Sequence, residues 1–128
     1  MHEFNSFEMP FEYKDSDKYI RAIRDNLIRK NGELKAGAFK TNKGGVSVTR
    51  CNDSVLDYAL KFMDFHFEGA MAVFPRMVCS NSNIYEKYSP SQGYNKHHWE
   101  LYGNKNRDAL SEEQIDAIIE AVDIFDRL

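Results

Sequence analysis

Hydrophobic positions along this chain recur with two different periods, and the changes of period mark its elements. From Asp15 to Asn31, Ile20, Ile23 and Leu27 follow the three-to-four spacing of one helical face, with Tyr19 and Ile28 beside them. Asp15 or Ser16 can cap this predicted helix and Gly32 can close it. Arg21, Arg24, Arg29 and Lys30 then fall mainly off the apolar face. Period two follows, with Val46 and Val48 alternating with Ser47 and Thr49 as in a half-buried strand. Lys35–Lys40 reads as its partner strand, and the turn residues Thr41-Asn42-Lys43-Gly44-Gly45 between them predict a hairpin. A second helix is predicted over Asn52–Glu68, where Leu56, Ala59, Leu60 and Met63 form a stripe and Gly69 ends it. Ala70–Ser80 is the most apolar run and predicts a central strand, except that Pro75 marks an edge, a bulge or a break.

Lys96–Tyr102 predicts the last strand. His97, Trp99 and Leu101 share one of its faces; His98, Glu100 and Tyr102 share the other. Ser111–Leu128 predicts a third helix: Ser111 and Gln114 form a capping-box pattern, and Ile115, Ile118, Ile119, Val122 and Phe125 define its buried side. Asn81–Asn95 between the strands is polar and Tyr-rich, and its length as a surface loop points to function. Residues 1–14 form an irregular segment broken at Met9-Pro10, but Phe4, Phe7, Phe11 and Tyr13 are too many aromatics for a free tail. The order helix, hairpin, helix, strand, loop, strand, helix predicts an α+β fold: one small mixed sheet of three to five strands packed with three helices.

Composition narrows this to one domain spanning residues 1–128, long enough to bury a core without staples. No apolar run approaches the roughly 18 residues of a membrane span, and the acidic, aromatic start lacks the form of a signal peptide. A soluble, cytoplasmic protein is the expectation. Cys51 and Cys79 are the only cysteines and form no CxxC pair, which fits small core residues rather than a zinc or redox motif.

The net charge of −3 conceals an asymmetry. Between Leu34 and Cys51 stand Lys35, Lys40, Lys43 and Arg50 and no acid; between Glu100 and Leu128 stand eight acids and three bases. A uniformly basic nucleic-acid binder is excluded by this pattern. In the basic stretch, Lys40, Lys43 and Arg50 can surround an anion, with Gly44 and Gly45 offering backbone N–H groups. The spacing is not that of a phosphate-binding P-loop, since Lys43 precedes the glycines. An exposed, solvated turn has the same composition.

His97 and His98 are adjacent and point to opposite faces of a strand, so no metal site is expected. His98 and Glu100 share a face and form a candidate proton-transfer pair; Ser47 completes the set of candidate catalytic residues. No serine or cysteine carries a recognisable nucleophile signature, and no cofactor is expected. Tyr85, Tyr88 and Tyr94, with Trp99 and Tyr102, are suited to a protein interface or to stacking on bases.

Tyr19-Ile20-Arg21, Gly37-Ala38-Phe39-Lys40, Gly45-Val46-Ser47-Val48 and the late His97-His98 together resemble a group of small uncharacterised prokaryotic proteins. In that group an Ala-Phe-Lys box and a Leu-Ser-Val or Val-Ser-Val box lie about ten residues apart and a histidine returns near the end. The resemblance covers residues 19 to 102 and implies a prokaryotic or phage origin without an activity. A more distant likeness is to the ADP-ribosyltransferase type of fold, with Glu100 as the late acid; the helix predicted around Arg21 counts against it.

These readings favour a non-catalytic binding or regulatory protein acting through the basic hairpin (35–50) and the Tyr-rich loop (81–95) on a protein partner. Its binding residues would be Lys40, Lys43, Gly44, Gly45, Arg50, Tyr85, Tyr88 and Tyr94. One alternative is a small nucleotide- or NAD-processing enzyme with Lys40, Ser47, His98 and Glu100 in a pocket where the hairpin meets the last strand. Another is a nucleic-acid-binding accessory protein.

Overall fold

The computed structural model describes residues 3–41 and 44–126. Its centre is one six-stranded sheet, with β1 (Lys18–Ile23), β2 (Val46–Cys51), β3 (Ala70–Pro75), β4 (Tyr85–Tyr88), β5 (His98–Tyr102) and β6 (Asp123–Phe125) in the order β4-β5-β2-β1-β3-β6. Three α-helices accompany it: α1 (Leu56–His66), α2 (Met77–Asn81) and α3 (Glu112–Ala121). The α+β class holds, and so does the number of helices, although α2 stands in place of the first predicted one. The sheet is larger than expected, and each of its strand pairings is antiparallel rather than mixed.

The segment read as a first helix is a central strand. β1 is buried on both faces: Tyr19 and Ile23 enter one core and Ile20 the other. A strand covered on both sides lacks the polar half of a period-two pattern. Ile20 and Ile23, which look like one helical stripe, therefore belong to opposite faces. The predicted hairpin is also absent, because Ala36–Phe39 forms a 3-10 turn that buries Ala38 and Phe39. Lys43 lies outside the described residues. The apolar run after Gly69 splits at Pro75 into β3 and α2, and Tyr85–Tyr88 is an edge strand inside the expected loop. The last helix stops at Ala121, so that Asp123–Phe125 can pair with β3.

Two cores flank the sheet. On one face, Val46, Val48, Phe74 and Leu101 pack with Phe39 and with Ile115 and Ile118 of α3. On the other, Ile20, Cys51, Met71 and Val73 pack with Ala59, Leu60, Phe62 and Met63 of α1, and Phe7 of the N-terminal segment joins them fully buried. That segment is a strap, not a tail. Phe7 N–H donates to Tyr94 O at 2.7 Å, and Lys96 N–H donates to Phe7 O at 3.0 Å. The His66 ring donates from Nε2 to the carbonyls of Phe4 and Asn5, at 3.0 and 2.9 Å. Both sulfurs are buried, and desolvation pushes the Cys51 thiol up to about 12.

Candidate functional site

The β1–β2 ladder is short: its last pair is Ile20↔Thr49. Beyond it, β1 continues on β3 and β2 continues on β5, so the two central strands part. The guanidinium of Arg21 spans this split. Nε donates to Ala38 O at 2.7 Å and Nη1 donates to Ser47 O at 2.9 Å, a strand carbonyl left without a β1 partner. Nη2 has no hydrogen-bond partner and the side chain no carboxylate partner among the described residues. Burial pulls its pKa below the ordinary arginine value.

Arg21 lines an open cleft of about 470 Å³. Ala22, Ser47, Val48 and Thr49 of the two parting strands line it as well, as do Met63 and Phe67 at the C-terminal end of α1. His98 and the turn residues Ser89, Pro90, Ser91, Tyr94 and Asn95 supply the remaining lining. This turn is rigidly built. Ser91 and Asn95 exchange backbone hydrogen bonds at 2.9 and 2.8 Å, and Gly93 between them takes φ +76°, a conformation glycine adopts without strain. Asn95 Nδ2 donates to Thr49 Oγ1 at 2.8 Å, and Thr49 in turn donates to Met63 Sδ at 3.3 Å. Thr49 thus ties the turn and α1 to the sheet.

His98 opposes Thr49 and Glu100 opposes Ser47 in the β2–β5 register, so these side chains share one face. His98 Nδ1 lies 2.8 Å from Ser89 O, an acceptor, and therefore carries the proton. Nε2 has no hydrogen-bond partner among the described residues. The Ser89 hydroxyl donates to Glu100 Oε1 at 3.2 Å, and Tyr102 donates to Oε2 at 2.5 Å. The Tyr102 hydroxyl, and then the Ser89 hydroxyl, hold the Glu100 carboxyl below its usual range against the opposing effect of burial. Glu100 reaches the cleft only through Ser89.

The other sequence candidates are dispersed. Lys40 and Gly44 are exposed, and neither lines the cleft. Gly45 serves close packing, since a Cβ there would lie 2.8 Å from Glu100 Cβ and 2.9 Å from Tyr102 Cζ. Arg50 is buried: Nε donates to Asp17 Oδ2 at 2.8 Å, and its guanidinium carbon sits 4.5 Å from the Tyr13 ring centroid and 4.8 Å from that of Trp99. Tyr85 is half-buried beside Tyr102, and Tyr88 packs on Trp99 and donates to Lys96 O at 2.8 Å. Tyr94 alone of the three tyrosines faces the cleft. His97 is turned to the opposite side, into the strap. Its Nε2 donates to Met9 O at 2.6 Å, which leaves Nδ1 to accept from the Tyr13 hydroxyl at 2.8 Å.

The cleft therefore unites Ser47, His98 and Tyr94 with residues that are not among the site candidates drawn from the sequence: Arg21, Thr49, Met63, Phe67, Ser89, Ser91 and Asn95. The available signal was an arginine inside Tyr19-Ile20-Arg21-Ala22-Ile23, a run that also reads as a strand. Comparison with protein-family models, with curated proteins and with solved structures finds no match to this chain.

Proposed function

We propose that this protein binds a phosphate-bearing small molecule in the cleft between β2, β5 and the end of α1. The observation that carries this reading is Arg21. A partly buried cation is stable only with compensating partners, and here two carbonyls orient it while no carboxylate neutralises it. Arginine has five N–H donors in a planar fork suited to bidentate contact with phosphate. Two are used, and the rest can serve an anion. The hydroxyls of Ser47 and Ser91 and the imidazole of His98 add neutral donors and acceptors around the same space.

The reading of the basic stretch and the Tyr-rich loop as one protein-binding surface draws less support. Arg50 is committed to Asp17, Tyr94 faces the cleft, and the hairpin that would join the lysines is absent. Nucleotide processing fits the cleft better, and His98 Nε2 is equipped to accept a proton there.

The test is a thermal-shift and calorimetry series with inorganic phosphate, pyrophosphate, ribose 5-phosphate and nucleoside diphosphates. Wild type should bind at least one phosphorylated probe. Arg21→Lys, which keeps the charge but loses the fork, should bind it about 10- to 100-fold more weakly, as losing a charge-assisted hydrogen bond of about 1.5–3 kcal/mol implies. Failure of every phosphorylated probe, or affinity indifferent to Arg21→Lys, refutes the proposal.

A further inference from the structure

The cleft has two unlike walls. On the β5 side stand Ser89, Ser91 and His98, and on the α1 side stand Met63, Phe67 and Tyr94. Phe67 is the residue at which α1 ends, and it keeps 41% of its surface exposed while lining the cleft. The Tyr94 ring is held edge-on to His66 at 4.8 Å and tilted on Phe62 at 5.3 Å, so it belongs to the α1 wall although it comes from the turn. Met63 is held by the Thr49 hydroxyl on its sulfur. Two rings and a thioether in a cleft that Arg21 also lines make it amphipathic. Its volume of about 470 Å³ is in the range of small-molecule sites and far more than an anion alone would fill.

Resting on the reading of the cleft as a phosphate site, the geometry points to the α1 wall as a base subsite: the flat ring of a purine or pyrimidine lies against Phe67 and Tyr94 while its phosphates reach Arg21. The ligand class is then a nucleotide, not a sugar phosphate and not a free inorganic anion. Aromatic side chains are sequence-tolerant platforms for bases, because every base offers a π-face. A sugar phosphate would leave this wall against polar hydroxyls, with no gain from burying the rings.

The experiment is calorimetric titration of ADP, UDP, ribose 5-phosphate, pyrophosphate and adenosine into the full chain, with Phe67→Ala, Phe67→Tyr, Tyr94→Leu and Arg21→Lys beside wild type. Circular dichroism confirms that each variant is folded. A nucleoside diphosphate should bind about tenfold or more tightly than ribose 5-phosphate and pyrophosphate, the scale of one base stacked on an aromatic ring. Phe67→Ala should remove most of that advantage and leave pyrophosphate unchanged, and Phe67→Tyr should restore it. Equal binding of all phosphorylated probes, each weakened by Arg21→Lys, overturns the base subsite and leaves the anion reading standing. Adenosine binding as tightly as ADP, weakened by Phe67→Ala and indifferent to Arg21→Lys, supports the base subsite and overturns the anion reading. A nucleotide preference untouched by both Phe67→Ala and Tyr94→Leu places the base elsewhere and overturns the inference, and no binding by any probe overturns both.

Discussion

Arg21 and Arg50 stand on neighbouring central strands and meet opposite fates. Arg50 has Asp17 at 2.8 Å, with both side chains almost wholly buried, and aromatic rings close beside its guanidinium. Removing one partner of such a pair leaves an uncompensated buried charge, which costs about 3–5 kcal/mol. Urea unfolding of Asp17→Ala should show a loss of that size; a loss below 1 kcal/mol would mean the pair is more solvated than its burial indicates. Nothing in the sequence separates these two arginines, because the groups that decide their roles are distant in the chain: Asp17 lies 33 residues from Arg50, and Ser47 lies 26 from Arg21. Gly45 carries the same lesson. It reads as a turn glycine, yet it is there for the close approach of Glu100 and Tyr102. Gly45→Ala is expected to destabilise the fold by about 1–3 kcal/mol, the usual cost of overpacking, as thermal melting would register.

At the level of elements, what the sequence made legible follows the contrast between buried and exposed positions. The third helix was readable at its start because its cap is local. Ser111 accepts from the Gln114 backbone at 3.2 Å, and the Gln114 side chain accepts from Ser111 N–H at 2.9 Å. Ser111→Ala should cost about 1 kcal/mol by denaturant titration, and Gln114→Ala more, since its amide also donates to Ser82 O and Gly103 O at 3.1 and 3.0 Å. The helix's end was not readable, because Val122 to Phe125 continue an apolar spacing that the free edge of β3 captures. β1 differs from its sequence pattern for the converse reason: it is buried on both faces, so tertiary contacts decide its state. A helix over this segment sets Arg21 on a helix surface, whereas the strand brings it to the cleft. Ser47, His98 and Glu100 were legible as a set because strand alternation is a local property, and the β2–β5 register puts them on one face.

For the whole molecule, the sheet is shared by two cores, and the strap from Glu3 to Tyr13 closes the one that carries the cleft. Phe7 is bonded to Tyr94 and Lys96, and His97 to Met9 and Tyr13, so the strap braces the turn that forms the cleft wall. His97 also couples this brace to pH. Burial lowers its pKa beneath the ordinary 6.5, against weaker raising by the Met9 carbonyl and by Glu8 and Asp17; Lys96 adds to the lowering. The folded state therefore binds fewer protons than the unfolded one in the interval below about 6.5. The stability due to neutral His97 is complete above that value and is lost as pH falls through the lowered one. Urea unfolding at pH 7.5 and 5.5 should show stability decreasing with acid, and His97→Gln should flatten that decrease; an unchanged slope would assign it to other groups. Assigning the backbone amides by NMR and titrating in pyrophosphate and ADP would locate the ligand site itself. Shifts should cluster at Arg21, Ser47, Thr49, Ser91, Asn95 and His98, with Phe67 and Tyr94 joining only for ADP. Shifts centred on Lys35 and Lys40 instead, or none at millimolar ligand, would contradict the cleft as the binding site.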